Sequence, residues 1–151
     1  MRLYCEHEIP WSADAFWERI HSELFEARVR EALGLNEYKE LERGEDESEL
    51  FRRIRVSAPM PKGMAPLVAR VVRVDEAVIF EEQWRSKRER LVRWRMTPSV
   101  MADRVRVEGV LRVEPAGRAR CRRILEGTIE ARLFGLGMRL ERAALKELIS
   151  A

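Results

Sequence analysis

The stretch from Ala77 to Ala131 constrains this chain most. Apolar and charged residues alternate there in segment after segment, with no Pro- or Gly-rich spacer before a broad apolar run of helical spacing, Arg132 to Ser150. Alternation with a period of two predicts strands with one buried and one solvated face. The cleanest strand sets Val105, Val107, Gly109, Leu111 and Val113 against Arg104, Arg106, Glu108 and Arg112. In the last strand, Cys121, Arg123, Leu125, Gly127, Ile129 and Ala131 form the inner row, and Ile124 is an apolar exception outside. Earlier strands read as Val78, Phe80, Glu82 and Trp84 inward against Ile79, Glu81, Gln83 and Arg85, then Val92, Trp94 and Met96 inward against Arg93 and Arg95. Turns fall at 86–89, 97–102 and Pro115-Ala116-Gly117. In the closing helix, Leu133, Gly137, Leu140, Ala144 and Leu148 form one stripe with Phe134, Met138 and Leu145 beside it. So wide an arc needs burial on more than one side, as it would have across the concave face of a curved sheet.

The first half of the chain supplies the remaining elements. Leu3, Cys5, His7 and Ile9 alternate with Tyr4, Glu6 and Glu8, which predicts a strand that Pro10 ends. Ser12 then caps a helix over Ala13 to Ile20, and Ser22 caps a second that runs to about Leu33 and stops at Gly34. Asn36 to Arg43 and Ser48 to Ser57 read as a hairpin around Gly44-Glu45-Asp46-Glu47, with Leu50, Arg52, Ile54 and Val56 sharing a face. The segment from Ala58 to Pro66 is Pro-rich but apolar, unlike a wet connecting loop, and one or two helical turns follow over Leu67 to Val72.

Composition narrows the function classes. A length of 151 residues suits one domain, residues 1–151, with a core that needs no staples. Two cysteines make no disulfide framework and no metal-ligand spacing, so the expectation is a reduced, cytoplasmic protein with neither cofactor nor metal. Nothing resembles a signal peptide or a membrane span. The 29 basic and 26 acidic residues nearly cancel to a net charge of +3. Although the basic residues concentrate between Arg85 and Arg132, they are mixed with glutamates on strand faces and lack aromatic RNA-binding motifs. A solvated sheet surface explains them better than nucleic-acid binding does.

A strand, a helix pair, six more strands and a closing helix resemble the helix-grip fold of the START-like (SRPBCC) superfamily. That α+β fold wraps a curved seven-stranded antiparallel sheet around a long C-terminal helix, with two short helices after the first strand. The residues that carry the resemblance are Ile9-Pro10-Trp11-Ser12-Ala13-Asp14-Ala15-Phe16-Trp17 and the strand from Leu125 to Ala131 running into Gly135-Leu136-Gly137-Met138-Arg139-Leu140-Glu141. The second of these is similar to uncharacterised bacterial branches and, more faintly, to PRELI lipid-transfer proteins. The resemblance implies a cavity between sheet and helix. Mapped onto this sequence, its candidate walls are Phe80, Trp84, Trp94, Met96, Val107, Leu111, Leu133, Gly137, Met138 and Leu140, which could equally fill a solid core.

Three charges interrupt apolar rows: Arg52, Glu82 and Arg123. A buried ion is costly unless paired, so Arg123, with Glu82 nearby, is a candidate anchor for the polar head of an amphiphile. Catalytic signatures are weak. His7 and His21 stand at no recognisable catalytic spacing, His21 reads as exposed, and Glu82 is the one attractive cavity acid or base. The expected function is binding or transfer of a hydrophobic small molecule such as a lipid, fatty acid or polyketide-like compound. The alternatives are a cyclase or aromatase in the same cavity and an interaction module with a filled core. Residues 59–72 mix Met60, Met64, Leu67, Val68, Val71 and Val72 with Lys62 and Arg70, which suits either a cap over the cavity or a lid that touches membranes.

Overall fold

A computed structural model describes residues 1–70, 74–133 and 135–150. In chain order the elements are β1 (Arg2–Ile9), α1 (Ala13–Ile20), α2 (Glu23–Ala32), β2 (Glu37–Glu45), β3 (Glu49–Pro59), α3 (Ala65–Val68), β4 (Glu76–Ser86), β5 (Leu91–Pro98), β6 (Val105–Pro115), β7 (Cys121–Ala131) and α4 (Gly137–Ser150). Among the described residues the strands form one seven-stranded antiparallel sheet, in the order β1-β7-β6-β5-β4-β3-β2. This is the helix-grip architecture expected from the sequence.

Local chemistry sets the boundaries. The Ser12 hydroxyl accepts from the Ala15 amide at 3.3 Å and the Ser22 hydroxyl from the Phe25 amide at 3.2 Å, satisfying N–H groups that the first helical turns leave without partners. Gly34 adopts a positive φ of 61° immediately after α2, where an L side chain would be strained. The β2–β3 turn is held by the Asp46 carboxylate, which accepts from the amides of Ser48 and Glu49 at 2.7 and 2.8 Å. The closing helix begins later than the sequence suggests. Gly135, at φ 71°, precedes it, and the amides of Leu136 and Gly137 both donate to the Leu133 carbonyl, so Arg132, Leu133, Gly135 and Leu136 lie before the helix. Inside α4, the Glu141 carboxylate accepts from the Ala131 amide at 2.9 Å and fastens the helix to the end of β7.

Leu3, Trp94, Val107 and Ile129 make the central core, with Ala144, Leu145 and Leu148 of α4 packed onto it. That packing identifies the concave face. Each fully buried aliphatic side chain, such as Leu3 or Ile129, contributes about 1.5–3 kcal/mol. The Trp94 indole lies over the paired glycines Gly109 and Gly127, and a Cβ on either would run into it and into the backbone carbonyl of the neighbouring strand. At one end of the face, Phe16, Trp17 and Ile20 of α1 close over Val113 and Cys121. At the other end, Met60, Met64 and Leu67 pack with Val68, Ala131 and Leu140. The helical turn in this cap covers Ala65–Val68; the expected turns at Val71 and Val72 lie outside the described residues.

Candidate functional site

Directly paired residues of an antiparallel sheet point to the same side, so register decides what faces α4. β6 keeps the expected parity, with Val107 and Val113 buried and Arg106 exposed. β4 reverses it. Ile79, Glu81, Gln83 and Arg85 stand opposite Pro98, Met96, Trp94 and Val92, and opposite Val56, Ile54, Arg52 and Leu50 on the other side. Phe80, Glu82 and Trp84 therefore lie on the convex face and are not cavity walls. Guanidinium groups lie over the two rings: that of Arg53 is 5.0 Å from the Phe80 ring centre, and those of Arg93 and Arg95 are 5.3 and 5.7 Å from Trp84, which also packs on Phe51. Glu82 sits in register between Arg53 and Arg95, on the opposite side of the sheet from Arg123. The expected pairing of Arg123 with Glu82 is thus excluded.

An apolar cavity of about 200 Å³ lies between sheet and α4. The sheet contributes Ile79, Met96, Val105 and Val107 to its wall, the helix Leu140, Ala144 and Leu148, and the cap Met60, Met64 and Val68. Its carboxylates are those of Glu76 and Glu147. Of the sequence candidates, Met96, Val107 and Leu140 line this space, while Trp94 and Leu111 belong to the solid core beside it. Leu133 packs beside Val68 and Leu140. Gly137 is pressed against the backbone of Ala131, where a Cβ would strike the carbonyl oxygen, and Met138 is 64% exposed on the far side of α4. Neither is a wall. The helix begins at Gly137, which sets Gly137 against the end of β7 and leaves Met138 in solvent.

Beyond Ile79 and Met96 the concave face turns polar. Arg52, with its side chain only 13% exposed, donates to Glu26 of α2 and to Glu40 of β2, each at 2.6 Å. Burial disfavours the Arg52 cation, but the two carboxylates more than compensate and raise its pKa. The Tyr38 hydroxyl donates to Glu26 at 3.3 Å, and burial, reinforced by the Glu26 charge, pushes its pKa up to about 12. Glu81, which sequence parity assigned to the outer row, is enclosed here and accepts from Gln83 Nε2 at 2.7 Å. Burial raises its pKa, with Gln83 and Arg52 pulling the other way. The reversal is legible only from pairing, because β4 carries its aromatic residues in the row that faces away from α4 and polar ones in the row that faces it.

Arg123 points inward without an ion-pair partner among the described residues, and burial lowers its pKa. His21 is half-buried rather than exposed: its Nδ1–H donates to the Trp17 carbonyl at 2.7 Å, its ring meets Trp17 edge-on, and burial depresses its pKa. Cys5 Sγ lies 3.6 Å from His7 Nδ1, a contact that the sequence reading did not weigh. Cys5 and Cys121 are free thiols on the paired strands β1 and β7, but they face Leu125 and Ile9 in register, not each other. No helix among the described residues is long and apolar enough to cross a membrane.

Three solved structures are similar to the chain over almost its whole length. A START superfamily protein from Mycobacterium smegmatis shares 14% identity at a TM-score of 0.64, covering 97% of this chain and 88% of that one. The Zhui aromatase/cyclase from Streptomyces sp. R1128 shares 15% at 0.60, covering 99% and 84%. Norcoclaurine synthase from Thalictrum flavum shares 14% at 0.58, covering 100% and 87%. These likenesses establish a START-like, helix-grip fold. The comparison with curated proteins found no match. A family model described as "Protein of unknown function (DUF2505)" matches residues 5–151, and the chain belongs to that family.

Proposed function

We propose that the protein binds a small hydrophobic molecule in the cavity between β4–β7 and α4, with residues 59–70 as the cap. The observation that carries this reading is the cavity itself: a partly open space of about 200 Å³ whose wall is almost wholly aliphatic side chains and methionines. Apolar area removed from water is worth about 25 cal/mol per Å², and methionines adapt to ligands of varied shape. The volume lies below the ~300–1,000 Å³ of clefts that hold drug-sized ligands, so the space suits a compact molecule or the tail of a larger one. A filled-core interaction module needs no such space. The inward packing of Met60, Met64 and Leu67 supports the cap over a membrane-touching lid, since docking would have to pull these side chains out.

Native mass spectrometry of the freshly purified protein should detect a co-purified small molecule released on denaturation. Absence of any adduct, together with no uptake of a fluorescent hydrophobic probe, would overturn the reading. A second reading, catalysis in the same fold, is supported by Glu81, whose raised pKa suits an acid or base beside an apolar site. The Zhui aromatase/cyclase shows that the fold can carry such chemistry, and turnover abolished by Glu81→Gln would favour it.

A further inference from the structure

We propose that Glu81 is the polar recognition group of this cavity, a carboxyl one step beyond the apolar wall that hydrogen-bonds the acceptor oxygen of a ketone, ester or amide carried on an otherwise apolar ligand. This rests on the cavity-binding reading above. Glu81 stands directly opposite Met96 and two residues from Ile79, and both of those line the cavity. On its other flank is Ile54, which is fully buried. Protein surrounds the Glu81 side chain, yet part of its surface stays accessible, and it stands just outside the residues that line the cavity.

The hydrogen-bond inventory identifies what is missing. An ionised carboxylate only accepts and needs several donors when buried, whereas a carboxylic acid both accepts and donates. Glu81 has one donor, Gln83 Nε2, while Arg52, the facing cation, is committed to Glu26 and Glu40. One neutral donor is little for a carboxyl so enclosed, and Gln83 is the one side chain among the described residues that hydrogen-bonds it, which leaves much of its bonding capacity for a ligand. Trp94, the register partner of Gln83, lies on the same face. A carboxyl with spare bonding capacity next to the apolar wall suits a ligand oxygen that accepts, and Trp94 Nε1 in the adjoining core is a second donor without a partner.

The charged and titratable groups around Glu81 agree. Burial dominates its protonation and favours the neutral acid, Glu26 of α2 reinforces this, and Arg52 of β3 opposes it. Tyr38 of β2 stays protonated at neutral pH and adds no charge.

The test uses acetophenone and α-methylstyrene, which share one heavy-atom skeleton and differ in a carbonyl oxygen against a CH2, titrated into the protein by NMR. Wild type should prefer acetophenone roughly tenfold, the worth of one hydrogen bond. Glu81→Gln, whose amide still donates, should keep the preference; Glu81→Leu should lose it; Glu82→Gln, on the convex face, should leave it unchanged. Rising pH should erode the preference in wild type but not in Glu81→Gln. The infrared carbonyl stretch of bound acetophenone should move to lower frequency in wild type, a readout that holds even if Glu81→Leu fails to fold. Equal binding of the two probes, or an unshifted carbonyl band, overturns the role of Glu81 and leaves the cavity standing. Binding of neither probe overturns the cavity and this proposal together.

Discussion

At the scale of single residues, the polar half of the concave face makes testable demands. Arg52 joins β3 to α2 and β2 through two charge-assisted bonds, so Arg52→Ala leaves Glu26 and Glu40 without their cation and should cost about 1.5–3 kcal/mol in chemical denaturation. Glu81 predicts a pH effect whose sign follows from its raised pKa. The folded chain keeps a proton that the unfolded chain has already lost, so this residue's contribution weakens stability as pH rises from the ordinary glutamate range through the raised folded value. Glu81→Gln removes that contribution. The wild-type-minus-variant difference in unfolding free energy, followed from about pH 4 to about pH 8, should therefore fall with pH; a flat difference would show that burial does not hold the proton.

At the scale of elements, α4 and the cap bound the cavity from opposite sides. Ala144→Phe should fill the space from the helix and abolish uptake of a hydrophobic probe, at a stability cost of no more than about 1–3 kcal/mol if the ring must crowd its neighbours. Met64→Asp places a charge in the apolar contact of the cap and should speed probe release, measured by stopped-flow displacement. How far such elements are legible in sequence depends on how many independent signals agree. Ser12, Ser22 and Gly34 mark α1 and α2 because caps are local chemistry, and β6 is plain because its charged and apolar rows follow burial. β4 misleads because its aromatic row lies under arginine guanidinium groups on the convex side, while its polar row turns inward to meet Arg52 and its partners. The start of α4 misleads because Leu133 continues the helical spacing through a turn that only the positive φ of Gly135 reveals. The candidate walls on β5 and β6 and at Leu140 thus stood on the right side of the sheet, whereas those on β4 and at the start of α4 did not.

At the scale of the whole molecule, one face is shared among several coverings: α1 at one end, α4 across the centre, the cap at the other end, and α2 where Glu26 meets Arg52. A probe held under the cap should slow amide exchange in residues 60–69 and in the first half of α4 while leaving α1 unchanged; protection centred on α1 would place the ligand at the wrong end. Gly109 and Gly127 pair across β6 and β7, and their would-be side chains meet the carbonyl oxygens of Glu126 and Glu108 on each other's strands. The obstacle there is main chain, and no exchange of neighbouring residues moves it. In a library that varies many positions at once, these two columns should stay blank even in members where Trp94 has become small. The route by which this sequence can drift is therefore pinned where β6 meets β7 by two hydrogen atoms.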